Sequence, residues 1–185
     1  MSGAYSVHRV RVGAVIAVAA VAGFLVWYFA IRDTVNGETV HLRPGSGPVA
    51  ASESDLSALS DELQQPVYWA GPKSGTTLEL TRTQDGRIYV RYLTGNAKIG
   101  APEPSYLTVG TYPFKGAHKA LEDVATKPGA VMQKIADHGL VVTNTDAPTS
   151  VYLAYPNQDF QIEVYDPDPK RALSLVTSGA IQPVG

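Results

Sequence analysis

The chain has 185 residues, 44% of them hydrophobic and 17% charged, with a formal net charge of -2, 17 Gly, 13 Pro and no cysteine. That length accommodates one ordinary domain and an additional segment. The lack of cysteine excludes disulfides, thiolate metal sites, a cysteine nucleophile and a lipidated cysteine, and the near-neutral charge argues against nucleic acid as a partner, because phosphates call for an excess of Lys and Arg.

The first element is an apolar run from Val12 to Ile31 without a charged side chain. A helix of this length spans about 30 Å, the thickness of a bilayer's hydrocarbon core. Arg9 and Arg11 precede the run, and Trp27 and Tyr28 lie near its far end, where amphipathic rings favour a membrane interface. The expectation is an uncleaved single-pass signal-anchor in the cell membrane, N-terminus cytoplasmic and C-terminal domain extracytoplasmic. A cleaved signal peptide is the competing reading, but the run exceeds the usual h-region, and no small-x-small site follows it. Gly13/Ala17 and Ala19/Gly23 have the spacing through which transmembrane helices pair, so a helix dimer is a further expectation. The domain reading is a tail at 1–11, a transmembrane helix at 12–31, a flexible linker at 32–53 rich in Gly, Ser and Pro, and a soluble α+β domain at 54–185.

Within that domain the periodicity predicts a helix over Asp55 to Gln64, capped by Ser54, with Leu56, Leu59 and Leu63 on one face. Val67 to Ala70 reads as a short strand. A hairpin follows, and with Gln84-Asp85-Gly86 as a three-residue loop it sets Leu80 opposite Val90, Leu78 opposite Tyr92 and Arg82 opposite Ile88. Its other face pairs Glu79 with Arg91 and Thr81 with Tyr89. A strand at Tyr106 to Tyr112 and an amphipathic helix at Ala117 to Thr126 come next. Val131, Met132 and Ile135 read as a second short stripe, closed by Gly139 as C-cap.

A strand at Leu140 to Asn144 leads into a second hairpin, with Val151 opposite Val164, Leu153 opposite Ile162 and Tyr155 opposite Phe160, and with Gln161 and Glu163 on the wet face. Asp168 as N-cap and Pro169 in the first turn start the last helix. The expected fold class is α+β, a transmembrane helix followed by a mainly antiparallel sheet of about 6–7 strands with helices on one side. Offsets of 73 and 72 place Leu78 on Val151 and Ile88 on Phe160, which suggests a duplicated helix-strand-hairpin unit; chance agreement between two similar segments is the alternative.

No common nucleophile, phosphate-loop or zinc motif is present, and no cofactor or metal is implied. His118 and Glu122 are four apart on one helix, a metal-ligand or acid/base spacing, but they fall on its charged face. His138 beside Asp137 suits a helix C-terminus. Asp166 and Asp168 hint at calcium, yet lack the further oxygen ligands it needs, and helix capping explains Asp168. Arg87, Tyr89 and Arg91 alternate along one strand, where guanidinium forks around an aromatic ring could bind an anionic polymer or an acidic protein patch, unless Glu79 pairs with Arg91. Tyr68 and Trp69 are aromatics that could line a groove, against a core position for Trp69.

The segments PVYWAGP (66–72) and LTVGTYP (107–113) resemble those of uncharacterised single-pass envelope proteins of high-GC Gram-positive bacteria. That resemblance implies a membrane-tethered domain and carries no activity or site. The function expected is a membrane-anchored, non-enzymatic binding or interaction module with an envelope protein or anionic polymer as ligand. A cell-envelope hydrolase or transferase with a site assembled from distant residues is the alternative.

Overall fold

The computed structural model describes residues 42–102 and 104–185. Eight strands form one antiparallel sheet: β1 (Val49–Ala51), β3 (Thr76–Arg82), β4 (Ile88–Thr94), β5 (Thr108–Pro113), β6 (Ala130–Lys134), β7 (Leu140–Asn144), β8 (Ser150–Ala154) and β9 (Phe160–Tyr165), in the spatial order β1-β3-β4-β5-β9-β8-β7-β6. Two short strands, β2 (Tyr68–Trp69) and β10 (Gln182–Pro183), pair as a separate ribbon. Three α-helices complete the described part: α1 (Glu53–Leu63), α2 (Ala117–Ala125) and α3 (Pro169–Thr177).

Strand alternation divides the side chains between two faces. One face carries Leu80, Ile88, Val90, Tyr92, Val109, Val151, Leu153, Ile162 and Val164, covered by Leu56 and Leu59 of α1, Ala172 and Val176 of α3, and the β2/β10 ribbon. The opposite face has a smaller apolar cluster, in which Ala117 and Leu121 of α2 meet Leu140, Val142 and Ala154. Both hairpins have the register their alternation dictates, Leu80 opposite Val90 in the first and Leu153 opposite Ile162 in the second. A one-residue slip would turn every apolar side chain of a strand to the wrong face, which is why the pattern fixes the pairing. Gly86, at φ 80°, supplies the left-handed residue that the three-residue loop requires.

One tyrosine and one threonine of the sheet tie it to the ribbon and to the residues that follow β2. The Tyr92 hydroxyl accepts from the Ala70 N–H at 2.7 Å and donates to the Gly71 carbonyl at 3.1 Å, and Thr111 Oγ1 accepts from the Tyr68 N–H at 3.0 Å. Backbone groups of β2 and of the residues after it thus find partners in side chains of the main sheet rather than in its ladder.

Several expectations are corrected. Among the described residues no helix is long and apolar enough to cross a membrane, the longest, α1, having 11 residues, so what they form is an α+β sheet fold and they do not support the transmembrane, single-pass and signal-anchor expectation. The run 12–31 to which that element was assigned, with its small-residue pairs, lies outside the described residues. The main sheet has eight strands rather than six or seven. The helices are not all on one side, since α2 packs on the face opposite α1 and α3.

The stretch read as linker contributes Leu42 to the core and β1 to the sheet edge, and Gly45 donates its N–H to the Arg82 carbonyl. α1 starts two residues early, because Ser52 rather than Ser54 forms a capping box with Asp55. The stripe of Val131 and Met132 is strand β6, not helix, and both side chains are exposed. Gly139 does cap a helix, but a single 3-10 turn at Ala136–His138, where its N–H donates to the Ala136 carbonyl at 3.0 Å from an extended rather than left-handed backbone; a Cβ there would fall 2.8 Å from both Ile135 and Tyr155, so the position is glycine for want of space.

The suggested duplication does not survive the topology. Strand order is symmetric about the β5/β9 pair, which matches β4 with β8 and β3 with β7, whereas the sequence offset matched β3 with β8 and β4 with β9. The helices that follow β5 and β9 also pack on opposite faces.

Candidate functional site

The alternating cluster on β4 is not an open surface. Arg91 is 4% exposed and its Nη1 donates to Glu79 Oε1 at 2.6 Å, while Nη2 donates to the Ala101 carbonyl at 3.0 Å and the Tyr106 ring lies 5.3 Å away. The Gly100 N–H donates to the other oxygen of Glu79. The loop between β4 and β5 therefore folds over this pair and satisfies it, which the strand pattern alone could not show. Tyr89 is buried and packs edge-on against Tyr112 with centroids 5.5 Å apart. Arg87 is the accessible member, held by Asp85 at 2.8 Å and lying 5.5 Å from the Tyr112 ring. Trp69 is buried in the ribbon opposite Gln182.

Glu163, expected on a wet face, is 4% exposed. It sits opposite Gly110 and Tyr152, and accepts hydrogen bonds from the hydroxyls of Tyr112, Ser150 and Tyr152. Burial pushes its carboxyl up, more strongly than those three hydroxyls and the Arg87 charge pull it down. Gly110 makes the arrangement possible, because a Cβ there would lie 2.6 Å from the Tyr112 hydroxyl oxygen. The buried layer on this face is structural polarity, closed to a ligand.

The open concavity lies at another place, a cleft of about 590 Å³ between the turn after β6, the β8–β9 loop, the end of α3 and the ribbon. Ile135, Val176 and Ile181 give it an apolar floor, with Tyr68 and Tyr155 as aromatic walls and Asp137, Gln158 and Ser178 as polar groups. Its lining contains no Lys or Arg. The Tyr68 hydroxyl donates to Gln158 Oε1 at 3.1 Å, which orients the amide. Burial, reinforced by Tyr155, pushes the Tyr68 phenol up to about 12, and burial together with the Asp137 charge raises that of Tyr155. Both hydroxyls therefore remain protonated donors through the neutral range.

Backbone strain gathers at the same place. Among the described residues the non-glycine residues with left-handed backbone are Gln64, Asp137, His138 and Asn157, at φ 51°, 55°, 58° and 59°. Asp137 lines the cleft, His138 is next to it, and Asn157 precedes the lining residue Gln158. Such conformations cost about 1 kcal/mol or more each and persist where the surroundings impose them, commonly at binding sites. Sequence reasoning offered Tyr68, beside Trp69, as an aromatic for a groove, and the cleft lining includes it, but it named none of Asp137, Tyr155 or Gln158 for a site. The Asp137-His138-Gly139 and Pro156-Asn157 turns were the available signal, since both hold residues that tolerate a left-handed backbone.

His118 and Glu122 face each other on α2 with Nδ1 and Oε1 3.8 Å apart, and neither histidine of the domain lines the cleft. Asp166 is fully buried, accepting from the Asp168 N–H at 2.8 Å and from Arg171 Nε at 2.6 Å, while Asp168 caps α3. Among the described residues no group of three or more His, Asp or Glu is placed to hold a metal ion.

Comparison with known proteins gives one modest likeness. The chain is 27% identical over 101 residues to the uncharacterized PPE family protein PPE36 of Mycobacterium tuberculosis, in strains CDC 1551 / Oshkosh and ATCC 25618 / H37Rv. The match covers 51% of this chain and 42% of the relatives, so the chain spans less than half their length. No family model and no solved structure matches.

Proposed function

We propose that this chain is a binding module whose ligand seats in the cleft between Tyr155, Asp137, Gln158 and the end of α3. The observation that carries the reading is the coincidence of the large cleft with strained, non-glycine backbone at its rim. Its volume of about 590 Å³ falls within the range of sites that bury a small molecule, and its composition, apolar and aromatic with a few convergent polar groups, is that of such sites. Phenol, amide and carboxylate groups around an apolar floor, without a cation, suit a neutral polyhydroxylated ligand such as a saccharide unit. Rings pack on its C–H face and the polar groups meet its hydroxyls.

The reading moves the ligand away from Arg87, Tyr89 and Arg91 and from anionic polymers, which an acidic cleft would repel. Calorimetric titration with a panel of mono- and disaccharides tests it. Asp137→Asn and Tyr155→Ala weaken the bound saccharide about tenfold or more, the value of one or two lost hydrogen bonds to a charged or buried partner. Equal affinity in both variants, each with an unchanged circular dichroism spectrum, removes the cleft as the site.

A further inference from the structure

Another, smaller pocket of about 230 Å³ is lined by Lys73, Thr94, Ser105, Tyr106 and Arg171, together with Tyr92 and Leu107. The described residues of its lining include two cations and no carboxylate. They come from separate elements, Lys73 from the loop before β3 and Arg171 from the first turn of α3. Lys73 Nζ lies 5.8 Å from the Tyr92 ring, and among the described residues no carboxylate comes within 4.0 Å of it.

Arg171 is anchored from below. Its Nε donates to the fully buried Asp166 at 2.6 Å, yet its side chain is 58% exposed. An arginine fixed through Nε has its terminal nitrogens as a preoriented fork for a second oxyanion. With Thr94 and Ser105 as hydroxyl donors, the pocket gathers charge, fork and neutral donors into a space suited to one small group.

We infer that this pocket binds the phosphate group of a small ligand, with Lys73 and Arg171 as its charged contacts. The site is independent of the saccharide cleft, with which it shares no lining residue. Inorganic phosphate is the probe, titrated into the full chain while amide shifts are read by NMR, against chloride at matched ionic strength and against acetate. A saturable response at residues 73, 94, 105 and 171 is expected with phosphate, and Lys73→Gln and Arg171→Gln each weaken it about tenfold. Lys73→Gln decides the matter if Arg171→Gln unfolds by leaving Asp166 unpaired, since Lys73 holds no ion pair with any of the described residues. A phosphate response no larger than that of chloride, an acetate affinity equal to that of phosphate, or an unchanged affinity in Lys73→Gln overturns the inference.

Discussion

Arg91 shows how one residue's neighbours change its meaning. Its alternation with Arg87 and Tyr89 reads as an anion-binding strip, but Glu79 and the Ala101 carbonyl hold its guanidinium in a buried ion pair. Removing one member of such a pair leaves the other charge buried alone, at about 3–5 kcal/mol. Arg91→Ala is therefore expected to lower the unfolding free energy from urea titration by that amount while leaving saccharide affinity at the cleft unchanged.

Glu163 gives a pH dependence of defined sign. A carboxyl raised in the fold binds its proton more tightly than in the unfolded chain, so the stabilisation is complete below the ordinary carboxyl range. It is lost as pH rises through the raised value. Glu163→Gln mimics the protonated form, so its unfolding free energy should gain on that of the parent as pH rises from 4 toward 9. Parallel profiles in urea titrations across that range would show that the carboxyl is not perturbed. Neither residue's burial was readable in advance, because the docking of an irregular loop over Arg91 and the meeting of Glu163 with hydroxyls from other strands leave no periodic trace.

At the scale of elements, what was legible is what a local period can encode. The two hairpin registers, the α3 start at Asp168-Pro169 and the β7 boundaries all follow from alternation and capping chemistry. β1, β6 and β10 were missed for different reasons. β1 and β10 have three and two residues, too short to show a period. β6 is an edge strand whose Val131 and Met132 are about half exposed, so its apolar spacing does not report which face is inward.

That difference is measurable. Met132→Gln should change stability by less than about 0.5 kcal/mol, as an exposed position does, while Val142→Ala, buried under α2 on the neighbouring strand, should cost about 1–3 kcal/mol. Comparable losses in chemical denaturation would mean that β6 is covered.

At the scale of the whole molecule, a continuous antiparallel sheet carries two faces with separate tasks. One is an apolar core closed by α1, α3 and the ribbon, and the other is a polar layer sealed by a loop and α2. The cleft lies beside the first, where the ribbon, the β8–β9 loop and the end of α3 meet. It was invisible in the sequence because its residues, from Tyr68 to Pro183, converge only through the pairing of β2 with β10 and of β8 with β9. The PVYWAGP segment thus acquires a local explanation, since Tyr68 walls the cleft and Trp69 holds the ribbon against the core.

The most direct test of this account is an NMR titration of the unmodified chain with mono- and disaccharides and, separately, with an anionic polysaccharide. The account predicts saturable shifts with a neutral saccharide, concentrated at Asp137, Tyr155, Gln158 and Ser178. Shifts confined to the 84–91 loop and strand, and seen only with the anionic polymer, would contradict it.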